Sequence, residues 1–134
     1  MSKIKLMLFV KRNPKLTHEE FREAYETRIS RRAVKSFGHL WSEYRRHYAA
    51  SAQTFGAAAG LTGVEQTFPY DAVSEIIFKD RAALEEQGRL SSRPENRAAI
   101  DADEEAFFDR RACWSIVAEV VEEDLAAASK DGAF

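Results

Sequence analysis

Apolar and polar residues alternate with period two over residues 3–11: Ile4, Leu6, Leu8 and Val10 fall on one side, Lys3, Lys5, Met7, Phe9 and Lys11 on the other. That spacing predicts a strand. The first side is apolar throughout and should face helices. The second is apolar only in its middle, so Met7 and Phe9 should face something partly wet. The period-two pattern returns over residues 72–78, with Ala72, Ser74, Ile76 and Phe78 opposite Val73, Glu75 and Ile77, and again over residues 114–121. A further strand is read over residues 44–49 from Tyr44 and Tyr48.

Between these segments the period lengthens. Asn13-Pro14 marks a turn. Thr17 then stands three residues before Glu20, the spacing of a capping box, and Leu16 and Phe21 are placed for a hydrophobic staple. A helix is predicted over residues 18–29, carrying Phe21, Ala24, Tyr25 and Arg28 at helical spacing. Val34, Phe37, Leu40 and Trp41 allow a second helical stretch interrupted near Gly38. Residues 50–63, rich in Ala, Gly, Ser and Thr, read as a long loop. Asp80 can cap a helix over residues 81–90. Pro94 suits the first turn of another that runs to about residue 108.

The order reduces to βαββαβ, an α+β arrangement of ferredoxin-like type with a four-stranded antiparallel sheet and helices on one face. The bare face would carry Met7, Phe9 and Trp114, more apolar surface than a monomer should expose. Pairing with a second copy is the common remedy. The expected division is one domain over residues 1–121 and an acidic, alanine-rich tail over residues 122–134.

Composition narrows the class. The chain has 134 residues, 45% of them hydrophobic and 31% charged, the balance of a globular domain rather than a disordered or membrane-embedded one. Twenty basic residues against 22 acidic ones leave a net charge of −2, which calls for neither nucleic acid nor an anionic membrane as partner. A single cysteine, Cys113, rules out an intrachain disulfide and a cysteine-rich zinc site. No leader-type segment opens the chain and no apolar run could span a bilayer, so a cytoplasmic protein is expected.

Four stretches together resemble the EthD family. They are the strand, Asn13-Pro14 turn and Leu16-Thr17-His18-Glu19-Glu20-Phe21 helix start; the pair Tyr25-Glu26; the strand opened by Tyr70-Asp71; and the late helix with Asp103-Glu104, Phe107 and Asp109. The resemblance covers about residues 4–121. It implies a dimeric α+β barrel with a pocket between sheet and helices in each subunit. It also implies activities of the decarboxylase, dehydratase or polyketide-cyclase kind on aromatic compounds, with no metal and no organic cofactor. Other members stand beside oxidative degradation enzymes without a clear activity of their own. One departure matters. Where many members carry histidines and a proline after the tyrosine-glutamate pair, this chain has Thr27-Arg28-Ile29-Ser30-Arg31.

Cofactor-free lyase chemistry needs a proton shuttle and a holder for an oxyanion. His47 matches a histidine often found in the family's second strand and is the candidate acid/base, with a dimer-seam histidine as the alternative. Asp71 matches the family's aspartate and would orient His47 or hold a hydroxyl, unless it serves as a turn residue. Tyr44 would hold the oxygen. Met7, Phe9, Tyr70, Glu75 and Trp114 are the candidate substrate contacts. Glu75 must be paired to sit among apolar neighbours, with Arg45 or Arg46 as the expected partner; otherwise it is a base with a raised pKa. His18, in the first turn of a capped helix, should point to water. No phosphate-binding, serine-hydrolase or metalloprotease motif is present, and three scattered histidines lack metal-ligand spacing. The sequence therefore points to a cofactor-independent lyase acting on a small hydrophobic molecule, or to a non-catalytic binding protein of an oxidative pathway.

Overall fold

A computed structural model describes residues 3–55 and 67–132. Strand β1 (Ile4–Val10) leads into helix α1 (His18–Ala24), a π-helical turn (Tyr25–Ile29) and helix α2 (Ser30–Phe37). After a 3₁₀ turn (Gly38–Leu40) come β2 (Trp41–His47), β3 (Ala72–Phe78), α3 (Arg81–Ser91), α4 (Pro94–Phe107), a second 3₁₀ turn (Arg110–Ala112) and β4 (Trp114–Glu119). The strands form one antiparallel sheet in the order β2-β3-β1-β4. This is the α+β, ferredoxin-like βαββαβ fold expected from the pattern. From Val120 onward no helix or strand forms among the described residues.

The α1 capping box closes in both directions: Thr17 Oγ1 accepts from the Glu20 N–H at 3.1 Å, and Glu20 Oε1 accepts from the Thr17 N–H at 2.8 Å. Asp80 likewise accepts from the Ala83 N–H at 2.8 Å to start α3. Two apolar clusters hold the helices on the sheet. One joins Phe37, Leu40 and Trp41 to Ile76, Phe78 and Ala83. The other joins Phe21 and Tyr25 to Val10 and Ala72.

Two boundaries differ from expectation by three residues or more. The first helical run continues to Phe37, and β2 begins at Trp41 rather than Tyr44. The cause is a bulge. Trp41 pairs with Phe78 and Tyr44 with Ile76, while the register slips between Trp41 and Glu43. An extra residue in a strand puts positions three apart on the same side. Trp41 and Tyr44 therefore mimic a helical spacing while both face the helices. The loop expected over residues 50–63 lies outside the described residues from 56 on.

Register assigns the sheet's two faces. Leu6, Leu8 and Val10 stand beside Ile76, Ser74 and Ala72 under the helices. Lys5, Met7 and Phe9 stand beside Ile77, Glu75 and Val73 on the open face, where Trp114 and Ile116 join them from β4. Trp114 is 63% exposed there and Ile116 41%.

Candidate functional site

Between the covered face of the sheet and helices α2 and α4 lies a cavity of about 540 Å³. Leu6, Leu8 and Ile76 form its floor, and Ile29, Ala33 and Ile100 its helical walls. The aromatic rings of Tyr25, Phe37, Trp41 and Tyr44 close the sides. Charged residues stand at the rim. Asp103 of α4, buried, accepts from Arg32 Nη1 at 2.6 Å and from Arg28 Nε at 3.2 Å, tying α4 to the first helical run across the opening. Arg97, Glu104 and Arg110 complete a second set of ion pairs on the same rim.

Two of the rings that line the cavity, Tyr25 and Tyr44, carry hydroxyls bonded to buried serines behind them. Tyr25 Oη lies 2.6 Å from Ser74 Oγ, and Tyr44 Oη donates to Ser30 Oγ at 3.0 Å. The π turn makes this arrangement. Its i→i+5 bond, from the Ser30 N–H to the Tyr25 carbonyl, brings Ser30 back beneath Tyr25. In an α-helix the fifth residue would sit about 140° round the axis. Burial pushes the Tyr25 hydroxyl's pKa well above its ordinary value, so it stays protonated.

Behind Tyr44 the π turn also aims Glu26 at the sheet. Arg46 Nε and Nη2 donate to Glu26 at 2.6 and 2.7 Å, and Tyr48 Oη donates to it at 2.5 Å. These hydrogen bonds, led by the Arg46 fork, hold the Glu26 pKa at about 2. The Arg22 guanidinium lies 4.0 Å from the centre of the Tyr48 ring.

The residues expected to carry chemistry divide between the two sheet faces. Tyr44 lines the cavity, and Phe9 and Trp114, which belong to the open face by register, also contribute to its lining. His47 does not: its register partner is Val73 on the open face. Its Nε2 lies 3.4 Å from Glu75 Oε2, and Lys5 Nζ approaches the other Glu75 oxygen at 3.5 Å. Glu75 thus pairs with neither of the arginines expected. Arg46 points to the opposite face and is held by Glu26, and Arg45 turns to Glu43 at 3.7 Å. Met7 and Trp114 share the open face with Phe9, whose ring centre is 5.4 Å from that of Tyr70.

Asp71 does not orient His47. Its carboxylate accepts from the Arg12 N–H at 2.9 Å and meets His18 Nδ1 at 2.9 Å; His18 is exposed, as expected, and this contact also ties it to the start of β3. Burial works to raise the Asp71 pKa, but the Arg12 N–H, His18 and the Lys11 and Arg12 charges outweigh it, and the net direction is down. Cys113 Sγ donates to the Asp109 carbonyl at 3.2 Å, and burial pushes its thiol pKa up, the condition of an inert packing residue. Among the described residues no group of three or more His, Cys, Asp or Glu side chains could hold a metal ion, and no helix is long and apolar enough to cross a membrane.

Sequence reasoning gave no role to Ser30 or Ser74 and did not pair Glu26 with Arg46. The signal for Ser74 was present as one hydroxyl on an otherwise apolar strand side. The signal for Glu26 was not, because only the π turn brings that residue against β2.

Residues 13–111 match the EthD domain family. The chain belongs to the EthD family. Solved structures share its fold at low identity. An EthD-family protein from Bacillus halodurans superposes with a TM-score of 0.58 at 12% identity, over 89% of this chain and 99% of its own. A hypothetical Arabidopsis thaliana protein gives 0.58 at 12%, over 93% and 94%. A dimeric ferredoxin-like protein of unknown function from Jannaschia gives 0.55 at 13%, over 88% and 99%. No curated protein sequence matches the chain. For this EthD protein the fold is thereby fixed, and the site is argued from its own residues.

Proposed function

We propose that this EthD protein binds a small, largely apolar ring compound in the cavity between sheet and helices, and that it does so as a homodimer. The observation that carries the reading is the cavity itself. At about 540 Å³, with apolar walls and a few charged residues at its rim, it matches the usual form of a small-molecule site. None of the three histidines lines it, which favours holding a ligand over turning it by histidine acid/base chemistry. The exposed stripe of Trp114 and Ile116 beside Met7 and Phe9 supports pairing through the open face, as does the dimeric character of the Jannaschia protein.

The experiment is calorimetric titration with naphthalene. Wild type binds it, and Ala33→Phe, which fills the cavity from α2, weakens binding more than tenfold (about 1.4 kcal/mol). Unchanged affinity in that variant would sink the cavity reading.

A second reading is cofactor-independent lyase chemistry on an aromatic or polyketide-like compound at the open face. It is favoured by His47 beside Glu75, with Met7, Phe9 and Trp114 on the same side. A second sheet would close a chamber over them, and His47 would move the proton. Full turnover of such a compound by His47→Ala would refute it.

A further inference from the structure

The open face of the sheet is divided in character. Toward β4 it is apolar, with Met7, Phe9, Trp114 and Ile116. Toward β2 it is charged. Register sets Glu43, Arg45 and His47 of β2 beside Ile77, Glu75 and Val73 of β3, and Lys5 of β1 stands on the same face. The charges of the Lys, Arg and Glu residues there balance, Lys5 and Arg45 against Glu43 and Glu75. They are also paired: Arg45 meets Glu43 at 3.7 Å, and Lys5 meets one Glu75 oxygen at 3.5 Å. His47 is the remaining titratable side chain on this face of the four strands. Its Nε2 lies 3.4 Å from the other Glu75 oxygen, and its side chain is 53% exposed. β4 brings no charge, since its positions on this face are Trp114, Ile116 and Ala118. At the same end of the sheet as His47, Lys11 turns to Asp71 at 3.8 Å and Tyr70 lies against the Phe9 ring.

We propose that pairing of two copies through this face is gated by the charge on His47: the neutral imidazole lets them assemble, and the protonated one holds them apart. This rests on the pairing reading above and adds its regulation. With a neutral imidazole the patch brings no net charge into the seam. One proton on His47 makes it +1, and a twofold contact doubles the excess, because both copies present the same patch. Glu75 cannot cancel that charge, since its other oxygen already answers Lys5. In the separate chain water solvates the half-exposed ring. Between two sheets it does not, and an uncompensated charge there is costly. Histidine is the side chain whose ordinary titration falls between about pH 5 and 8, so acid should split the dimer. The overall charge of the chain works in the opposite direction. From −2 at pH 7 it approaches zero at the isoelectric point near 6.0, which lowers the repulsion between copies. Dissociation over that range therefore has to come from the face itself.

Sedimentation velocity over a dilution series, at about pH 8 and about pH 5.5, gives the dimer Kd at each and tests this. One unit below the ordinary imidazole value of about 6.5, a ring that must shed its proton weakens pairing about tenfold, and two rings about a hundredfold. The wild-type Kd should therefore rise by about ten- to a hundredfold on acidification. His47→Gln keeps an uncharged polar side chain at this exposed position and should pair equally well at both pH values. A variant Kd that rises as the wild-type one does overturns the gate. So does a wild-type Kd that is equal at the two pH values or lower in acid, a measurement that decides the matter without the variant and leaves the pairing reading standing. Wild type that is monomeric at micromolar concentration even at the higher pH overturns the pairing reading and the gate with it.

Discussion

Replacing Glu26 by Gln tests the polar joint between the first helical run and β2. The substitution keeps the shape and removes the charge that Arg46 grips with two hydrogen bonds and Tyr48 with a third. Arg46 is only 19% exposed, so its charge would be left partly desolvated without a counter-ion. Taken at face value, a carboxyl moved from 4.5 to about 2 on folding would contribute about 3 kcal/mol at pH 7. Glu26 is itself 34% exposed, and screening by solvent brings the expected loss to about 1–2 kcal/mol. The sign of the pH dependence follows from the folded value being depressed. The contribution is complete above pH 4.5 and is lost as pH falls from there toward 2, with roughly half or more gone by pH 3. Urea unfolding of wild type and Glu26→Gln at one protein concentration, at pH 7, 4 and 3, reads the difference directly. It should be largest at pH 7 and shrink on acidification. Equal stabilities at pH 7, or a gap that does not change with pH, would show that the Glu26–Arg46 joint does not stabilise the fold in this way.

Two further predictions use the same instruments. Asp71→Asn should cost about 1–3 kcal/mol at pH 7, because the Arg12 N–H and His18 lose a charged acceptor that is almost fully buried. Since the Asp71 pKa is lowered in the folded state, the gap to wild type should close as pH drops below 3.8, and a pH-independent gap in urea unfolding would count against that account. Trp114→Lys places a charge on the proposed pairing face. In sedimentation, wild type should run at twice the 15.2 kDa chain mass and the variant closer to one chain mass; a wild type that stays monomeric at micromolar concentration defeats the pairing proposal.

Strand and helix order was legible because the spacing of apolar residues is set by backbone geometry, with period two for a pleated strand and near 3.6 for a helix. Ala72–Phe78 and the capped start at His18 fall where local chemistry puts them. Separation of Ile4, Leu6, Leu8 and Val10 from Met7 and Phe9 likewise needed only alternation. β2 was misplaced because a bulge is a property of the pair: only β3 beside it reveals that Trp41 and Tyr44 lie on one side.

Local sequence determined this protein's elements, their order and the two sides of its central strands β1 and β3, since each follows from neighbours a few residues apart. Tertiary structure alone decided which side chains meet. It set Asp71 on His18 instead of His47, separated His47 from Tyr44 by the thickness of the sheet, and brought Tyr25 against Ser74. Those partners are 49 or more residues apart for Tyr25–Ser74 and Asp71–His18. Their encounter depends on a π turn and on sheet register, which no short window of sequence encodes.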